Sequence, residues 1–413
     1  MAQDSDVGGA DAPGAEFDLD VGAIAHGGHC VGRHEGRVVF VRHALPGEQV
    51  RARVTKTGSG KRFLFADAVA ILRASPERVD PPCRYAGPGG CGGCDFQHVS
   101  VAEQRRLKAQ VVREQLQRLG SVSAASLEGL VVEPVAGDRD GLRWRTRLSL
   151  AVDRQGRAGL HPYHSHEVLP MQDCLIATEA VVGSGALGGQ FPGARGVDVV
   201  ADDEGRVVVV PHPTKRRDVG VVRQHVVVGG WSAVFDMDPR AFWQVHPGAA
   251  AALVGAVLEG LAPQVGDRAL DLYAGVGLFG RALADRVGPG GAVLMIESDP
   301  RAVAGATAWV QDVEHAEVRV DRVDRALAPL VAGGDRVDLV VLDPPRSGAG
   351  VELMRVLAGL RPRAIAYVAC DPAALARDLA AVGEAGYRLE SVRAFDQFPM
   401  THHVECVALL TPC

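Results

Sequence analysis

A thiol at position 370 carries the strongest chemical signal in the chain. It lies in Ile-Ala-Tyr-Val-Ala-Cys-Asp-Pro-Ala-Ala-Leu-Ala-Arg-Asp-Leu, residues 365–379. The apolar first half reads as a buried strand, and the second as a helix with Asp371 as N-cap and Pro372 as first residue. Cys370 is thus expected where a strand ends and a helix dipole begins, a position that lowers a thiol pKa and favours the nucleophilic thiolate. A buried, inert cysteine fits the segment equally well. Two further strand ends bear on the choice. Asp271-Leu-Tyr-Ala-Gly275-Val-Gly277-Leu-Phe-Gly280 follows a short apolar run and opens a helix. Val340-Val-Leu-Asp343-Pro-Pro-Arg346 ends a later one in a stiff turn that aims a carboxylate outward. Ligands bind at the carboxyl ends of parallel strands, so all three features are expected to face one crevice. That convergence makes Cys370 a candidate nucleophile.

Gly275, Gly277 and Gly280 match the dinucleotide fingerprint, and Glu297 stands near where a ribose-binding acid belongs. A nicotinamide enzyme is therefore a rival reading. Asp271 before the loop and Asp343 at the later strand favour S-adenosylmethionine, whose cationic amino-acid end suits a carboxylate. Hydride transfer has no evident use for Asp343.

A second group of thiols is Cys83, Cys91 and Cys94 in Gly-rich chain, with Cys174 further on. Four thiolates suit tetrahedral zinc or an iron–sulfur cube, and spacing alone does not choose between them.

The elements around these residues fall into blocks. Residues 1–14 are Gly, Ala and Asp rich, and a disordered acidic leader is expected. Residues 15–73 alternate apolar and polar residues between Gly and Pro breaks, which predicts a small β-barrel of the oligonucleotide-binding type. Residues 31–73 carry nine Lys/Arg against three Asp/Glu, whereas the whole chain has a formal net charge of −6. A basic module behind an acidic leader suits a phosphate-bearing partner. Helix 100–119 opens with Ser100 and Glu103 in capping-box spacing. Residues 130–240 alternate again. From 247 the pattern becomes helix and strand in turn: strands at 268–272, 292–297, 316–320, 337–342 and 363–369, helices at 247–261, 278–286, 300–310, 350–360 and 372–384. A doubly wound parallel sheet follows, closed by a hairpin of 388–395 and 404–410. The acidic start of the chain, with no long apolar run, predicts a cytoplasmic protein without membrane contact.

Taken together these residues resemble the RNA uridine-C5 methyltransferase family over nearly the whole chain. The resemblance implies an α/β fold: a class I (Rossmann-like) S-adenosylmethionine-dependent domain (100–120 and 246–413), an OB-like TRAM RNA-binding barrel (15–73) and a β-rich central domain with the cysteines (74–99 and 121–245). It implies a 4Fe-4S cluster on Cys83, Cys91, Cys94 and Cys174. Phe242-Trp-Gln244-Val-His246 resembles the family's Phe-x-Gln-x-Asn, so Gln244 inherits a place near substrate and donor. Tyr273, Gly275, Gly277, Glu297 and Asp343 match its donor contacts. Cys370 matches its nucleophile, and Glu405, in His403-Val-Glu405-Cys-Val, its base. The implied reaction adds Cys370 to C6 of uracil, methylates C5 and releases the product after Glu405 takes the C5 proton.

His246 and Leu278 depart from the Asn usual at each position. The implied partner is RNA, 23S ribosomal RNA first and transfer RNA as alternative, handled by a monomer. Lys61, Arg62 and Phe63, and Arg143-Trp144-Arg145-Thr-Arg147, are candidate RNA contacts by composition. A cytosine-C5 enzyme is disfavoured because no second Cys adjoins Asp343. A non-catalytic RNA-binding iron–sulfur protein is the rival from another class.

Overall fold

Alternation of apolar residues rolls the N-terminal strands into a closed barrel. The computed structural model describes residues 12–59, 62–214 and 219–413. Most of the expected acidic leader, and Lys61, lie outside the described residues. Five strands, β1 (Glu16–Ala25), β2 (His29–His34), β3 (Arg37–Arg42), β4 (Gln49–Thr57) and β5 (Phe63–Arg73), close in the order β1-β2-β3-β5-β4. Leu19, Val21, Val39, Val41, Val50, Ala52, Val54, Leu64 and Ala66 fill the interior. Residues between them point outward, and Arg51–Asp18 and Arg53–Glu16 pair across β1 and β4.

The chain divides into two compact units, and the barrel belongs to the first, with residues up to 111, 160–169 and 399–402. Helix α1 (Val101–Arg118) starts as its spacing predicts: the Glu103 N–H donates to Ser100 Oγ at 3.4 Å. The reciprocal half of the capping box is absent, because the Glu103 carboxylate binds Arg106 instead.

The second unit holds residues 112–159, 170–398 and 403–413. Along the chain follow β6 (Val132–Pro134), β7 (Arg147–Val152), β8 (Ala158–Leu160), β9 (Leu169–Pro170), α2 (Glu179–Gly183), β10 (Gly196–Ala201), β11 (Val207–His212), β12 (Val222–Val228) and β13 (Trp231–Met237). They form a sheet of order β11-β10-β7-β8-β9 and the hairpin β12-β13, while β6 joins a larger sheet further on. The hairpin supplies Val222, Val226, Trp231 and Phe235 to the same apolar core that the C-terminal helices and strands use.

That C-terminal part is the doubly wound architecture. Its elements are α3 (Ala249–Leu261), β14 (Arg268–Leu272), α4 (Leu278–Val287), β15 (Ala292–Glu297), α5 (Pro300–Val310), β16 (Ala316–Val320), α6 (Val323–Gly333), β17 (Leu339–Leu342), α7 (Val351–Gly359), β18 (Ala364–Ala369), α8 (Pro372–Glu384), β19 (Tyr387–Asp396) and β20 (Glu405–Pro412). The sheet order is β16-β15-β14-β17-β18-β20-β19-β6. β14 to β18 run parallel, β20 pairs antiparallel with β18 and β19, and β6 lies parallel to β19 at the edge. The order reverses between β14 and β17, so the crevice opens at their carboxyl ends.

Helix α6 was not expected from the sequence. Pro329 stands in its interior, where it removes a backbone donor and argues against a helix. Burial of Val323, Ala326 and Leu327 along one face holds the helix regardless. Among the described residues no helix is long and apolar enough to cross a membrane.

Candidate active site

The switch point is built from the end of β14. The loop after it turns through left-handed backbone at Tyr273 (φ 61°), Gly275 (φ 58°) and Gly277 (φ 82°) before α4 begins. Glu297, at the end of β15, accepts the Gly275 N–H at 2.9 Å through one oxygen. Its other oxygen accepts the N–H groups of Ser298 and Asp299 at 2.6 and 2.7 Å. One carboxylate therefore fixes both the glycine loop and the start of the next turn. Asp271 stands beneath the loop rather than in the crevice. It is fully buried, and one oxygen accepts the Gly280 N–H at 2.6 Å. Burial pushes its pKa up to about 8, against the Gly280 hydrogen bond and with Asp343 and Glu297 adding repulsion. The crevice above is lined by Phe242, Gln244, Tyr273, Gly275, Leu278 and Asp343. Gln244 Nε2 lies 3.5 Å from an Asp343 oxygen.

Cys370 follows the end of β18 and precedes α8, whose N-cap Asp371 accepts the Ala374 N–H at 2.8 Å. β18 and β20 pair with Ala369 opposite Cys406. One residue further in that register, Cys370 faces Glu405. Glu405 is buried and accepts a hydrogen bond from Gln397 Nε2 at 2.6 Å. Arg346, in the turn after Asp343, reaches His403 Nε2 at 2.9 Å.

Electrostatics at this cluster depart from the sequence reading. The helix N-terminus was expected to lower the Cys370 pKa. Instead it is pushed up to about 12, first by burial and then by the carboxylates of Glu405 and Asp343, with Arg346 opposing. A helix dipole is worth at most a couple of kcal/mol, roughly 0.3–1 at exposed ends, and burial beside two acids outweighs it. Those acids are displaced in turn. Burial raises Asp343 to about 7. Glu405 is held well above the usual carboxylate range by burial and by Asp343, against the Gln397 hydrogen bond and Arg346.

The profile of the tRNA (Uracil-5-)-methyltransferase family matches residues 206–412, and that of the TRAM domain residues 12–69. The chain belongs to the tRNA (uracil-5-)-methyltransferase family. It is an S-adenosylmethionine-dependent RNA uracil-C5 methyltransferase. A Streptomyces avermitilis protein named as an uncharacterized RNA methyltransferase is 47% identical, over 97% of this chain and 99% of that protein. A Streptomyces coelicolor protein of the same description is 48% identical, over 97% and 93%. The crystal structure of a Pyrococcus abyssi tRNA (uracil-54, C5)-methyltransferase with S-adenosyl-L-homocysteine shares the fold, with TM-score 0.65, 23% identity and coverage of 95% and 99%.

The methyltransferase's glycine loop packs tightly against its own core at Gly277. A Cβ at Gly277 would come within 2.8 Å of Trp309 and 2.9 Å of Met295. Gly277→Ala therefore meets both a crowded site and a left-handed φ. We expect it to lower folding stability by about 1–3 kcal/mol and to weaken S-adenosylhomocysteine binding, read by thermal melting and calorimetry.

The other expected sites divide. His246 is buried and accepts the Gly248 N–H at Nδ1, 3.1 Å, and burial lowers its pKa to about 4, so it caps the entry to α3 as a neutral ring. Leu278 is buried as the first residue of α4. The segment Arg143–Arg147 is engaged largely in internal contacts. Trp144 is 1% exposed, Arg143 pairs with Asp173, and Arg147 donates to the Ala241 carbonyl. In the barrel, Phe63 is half-buried and packs edge-on against Phe40 and Phe65. Among the described residues no three His, Cys, Asp or Glu side chains are placed to hold a metal ion, so the expected cluster on Cys83, Cys91, Cys94 and Cys174 is not shown. Cys91 accepts the Gly93 N–H and Cys94 the Gln97 amide. Gln397 and Arg346 are the site residues that the sequence reading assigned no catalytic part.

Proposed function

We propose that the methyltransferase acts on a uridine of 23S ribosomal RNA in the cytoplasm through a covalent adduct between Cys370 and C6. The observation that carries the covalent step is the register of β18 and β20, which sets Cys370 against Glu405 beside Asp343, while the 23S substrate rests on the family resemblance alone. The Cys370 thiol gives up its proton to solvent, the resulting thiolate gives its electron pair to C6 of uracil, and the C5–C6 π pair moves into the conjugated system to leave an O4 enolate. C5 then takes the methyl group, whose bonding pair leaves with the sulfur of S-adenosylhomocysteine. The donor supplies that group on a positively charged sulfur. Glu405 removes the C5 proton, the freed pair restores the C5–C6 double bond, and the C6–S pair returns to Cys370.

Proton placement supports the sequence. The repulsion that Glu405 and Asp343 exert on the thiolate exists only while they are charged. Arg346 opposes that repulsion, and the raised pKa of Glu405 makes its ionised form the stronger base for the C5 proton. Tyr273, Gly275, Gly277 and Glu297 would hold the donor, with Gln244 and Asp343 at the boundary between donor and base. No step uses a metal cluster. The target base must leave its stack to enter a crevice this deep.

Transfer RNA is the second reading, favoured by what the Pyrococcus abyssi protein is named for. Mass spectrometry of both RNAs from a strain lacking the gene decides between them. We expect one 5-methyluridine to disappear from 23S ribosomal RNA. Its persistence there, with a loss in transfer RNA, would move the proposal to the second substrate.

A further inference from the structure

Helix α8 carries a buried carboxylate that nothing in its own packing explains. Asp378 is 3% exposed, in a helix otherwise buried through Ala, Leu and Val. A carboxylate mid-helix is a poor helix former and costly to bury unless its oxygens are filled. They are filled by one loop and one strand. An Asp378 oxygen accepts the Ala349 N–H at 2.7 Å, the Gly350 N–H at 3.2 Å and the Tyr367 hydroxyl at 2.6 Å. The other oxygen also accepts from Gly350 at 3.2 Å. Tyr367, in β18, accepts the Ala349 N–H through its hydroxyl at 3.0 Å. Gly348 has φ +88°, and a Cβ there would sit 2.6 Å from Asp378, so the chain passes directly over the carboxylate.

The far end of the same loop is pinned independently, since the Asp343 N–H donates to the Leu272 carbonyl at 3.2 Å. A turn closes between the two anchors, with Gly348 N–H on Pro345 O at 2.8 Å. Arg346 is suspended between them. It is the cation that faces both Cys370 and Glu405. The other charged or titratable groups near Cys370 are Glu405 and Cys406 on β20, Asp343 after β17, and Asp371 on its own helix cap, all acidic, while the His403 ring meets Arg346 itself at 2.9 Å. Where Arg346 stands therefore decides how much positive potential the thiol feels.

We propose that Asp378, with Tyr367, is a positioning residue that fixes Arg346 against the nucleophile, tying the loop after Asp343 to helix α8, which follows Cys370. This rests on the reading of Cys370 as the nucleophile.

The test uses the full chain and follows covalent adduct formation with 23S and transfer RNA transcripts containing 5-fluorouridine, across pH. An adduct in the wild type is required first, and its absence sinks the nucleophile reading rather than this one. Given that adduct, Asp378→Asn is expected to slow its formation about tenfold and to move the pH profile upward by roughly half a unit or more, the sense of losing a nearby cation. Affinity for S-adenosylhomocysteine should stay within about threefold, because the glycine loop is anchored by Glu297 and Asp271 instead. Arg346→Ala is expected to give the same shift, and the double variant no more than the single ones. Should Asp378→Asn fail to fold, Tyr367→Phe removes one bond of the tether and is expected to show the same shift at smaller size. An unmoved pH profile, additive effects of Asp378 and Arg346, or a parallel loss of cofactor affinity would each overturn the proposal.

Discussion

Cys370→Ala is expected to abolish methyl transfer and to leave no covalent complex with 5-fluorouridine RNA. The fluorine at C5 cannot leave as a cation, so an enzyme that adds a thiolate to C6 is arrested with both the methyl group and the protein attached. Without the thiol no adduct forms, and C5 of uracil is too weak a nucleophile to take the methyl group unaided. The expected fall in kcat/KM exceeds roughly 10⁴-fold, the scale seen when a sole nucleophile is removed. S-adenosylhomocysteine should still bind, because Tyr273, Gly275 and Glu297 lie on β14, β15 and their loop rather than on β18. The pH dependence follows from the raised thiol pKa. Cys370 is pushed up to about 12, so the thiolate fraction in the wild type should climb steadily from about pH 6 to about pH 9. Adduct formation is expected to climb with it. A rate independent of pH over that range would mean that the thiolate is already formed before RNA binds. Covalent trapping by the alanine variant would assign the nucleophile elsewhere.

Much of this site can be read from the sequence because its parts are local. The apolar run 364–369 followed by Asp371 and Pro372 specifies a strand end and a capped helix, and both form as expected. The glycine loop is legible for the same reason, since each left-handed turn is settled within a few residues. The environment of Cys370 is not local. Glu405, Asp343 and Arg346 come from other strands and their following turns, and the β18–β20 and β17–β18 pairings bring them near. A rule about helix N-termini therefore gave the wrong sign for the thiol. Gln397 is invisible for a related reason: nothing around it in sequence marks an amide that meets a carboxylate eight residues away. The Arg143–Arg147 run misleads in the other direction. Arginine beside an aromatic suits RNA, but the same residues also suit a half-buried segment leading into β7 whose guanidinium groups satisfy carbonyls. Helix α6 shows burial overriding a local breaker, the commonest way in which propensity fails.

Glu405→Gln is expected to separate the two halves of the reaction. The glutamine keeps the shape and can still meet Gln397, but it cannot accept a proton. Addition of Cys370 to C6 and methylation of C5 do not need that acceptance. Both should proceed, with one carboxylate fewer to repel the thiolate. Elimination does need it, so the methylated adduct should accumulate. The expected signature is a burst of one methyl group per enzyme on ordinary, unfluorinated RNA, followed by turnover slowed by about 10²–10⁴-fold, the usual worth of a positioned general base. The position of Glu405 explains why so large a share rests on it. A carboxylate of ordinary pKa is a weak base, whereas burial and the neighbouring Asp343 hold this one well above that range. Gln397 occupies one oxygen at 2.6 Å, which leaves the other for the proton at C5. Denaturing electrophoresis of the variant with labelled RNA checks the outcome. Accumulated adduct with slow release supports the assignment. Loss of the adduct together with turnover would instead place Glu405 in the addition step, as the group that first relieves Cys370 of its proton.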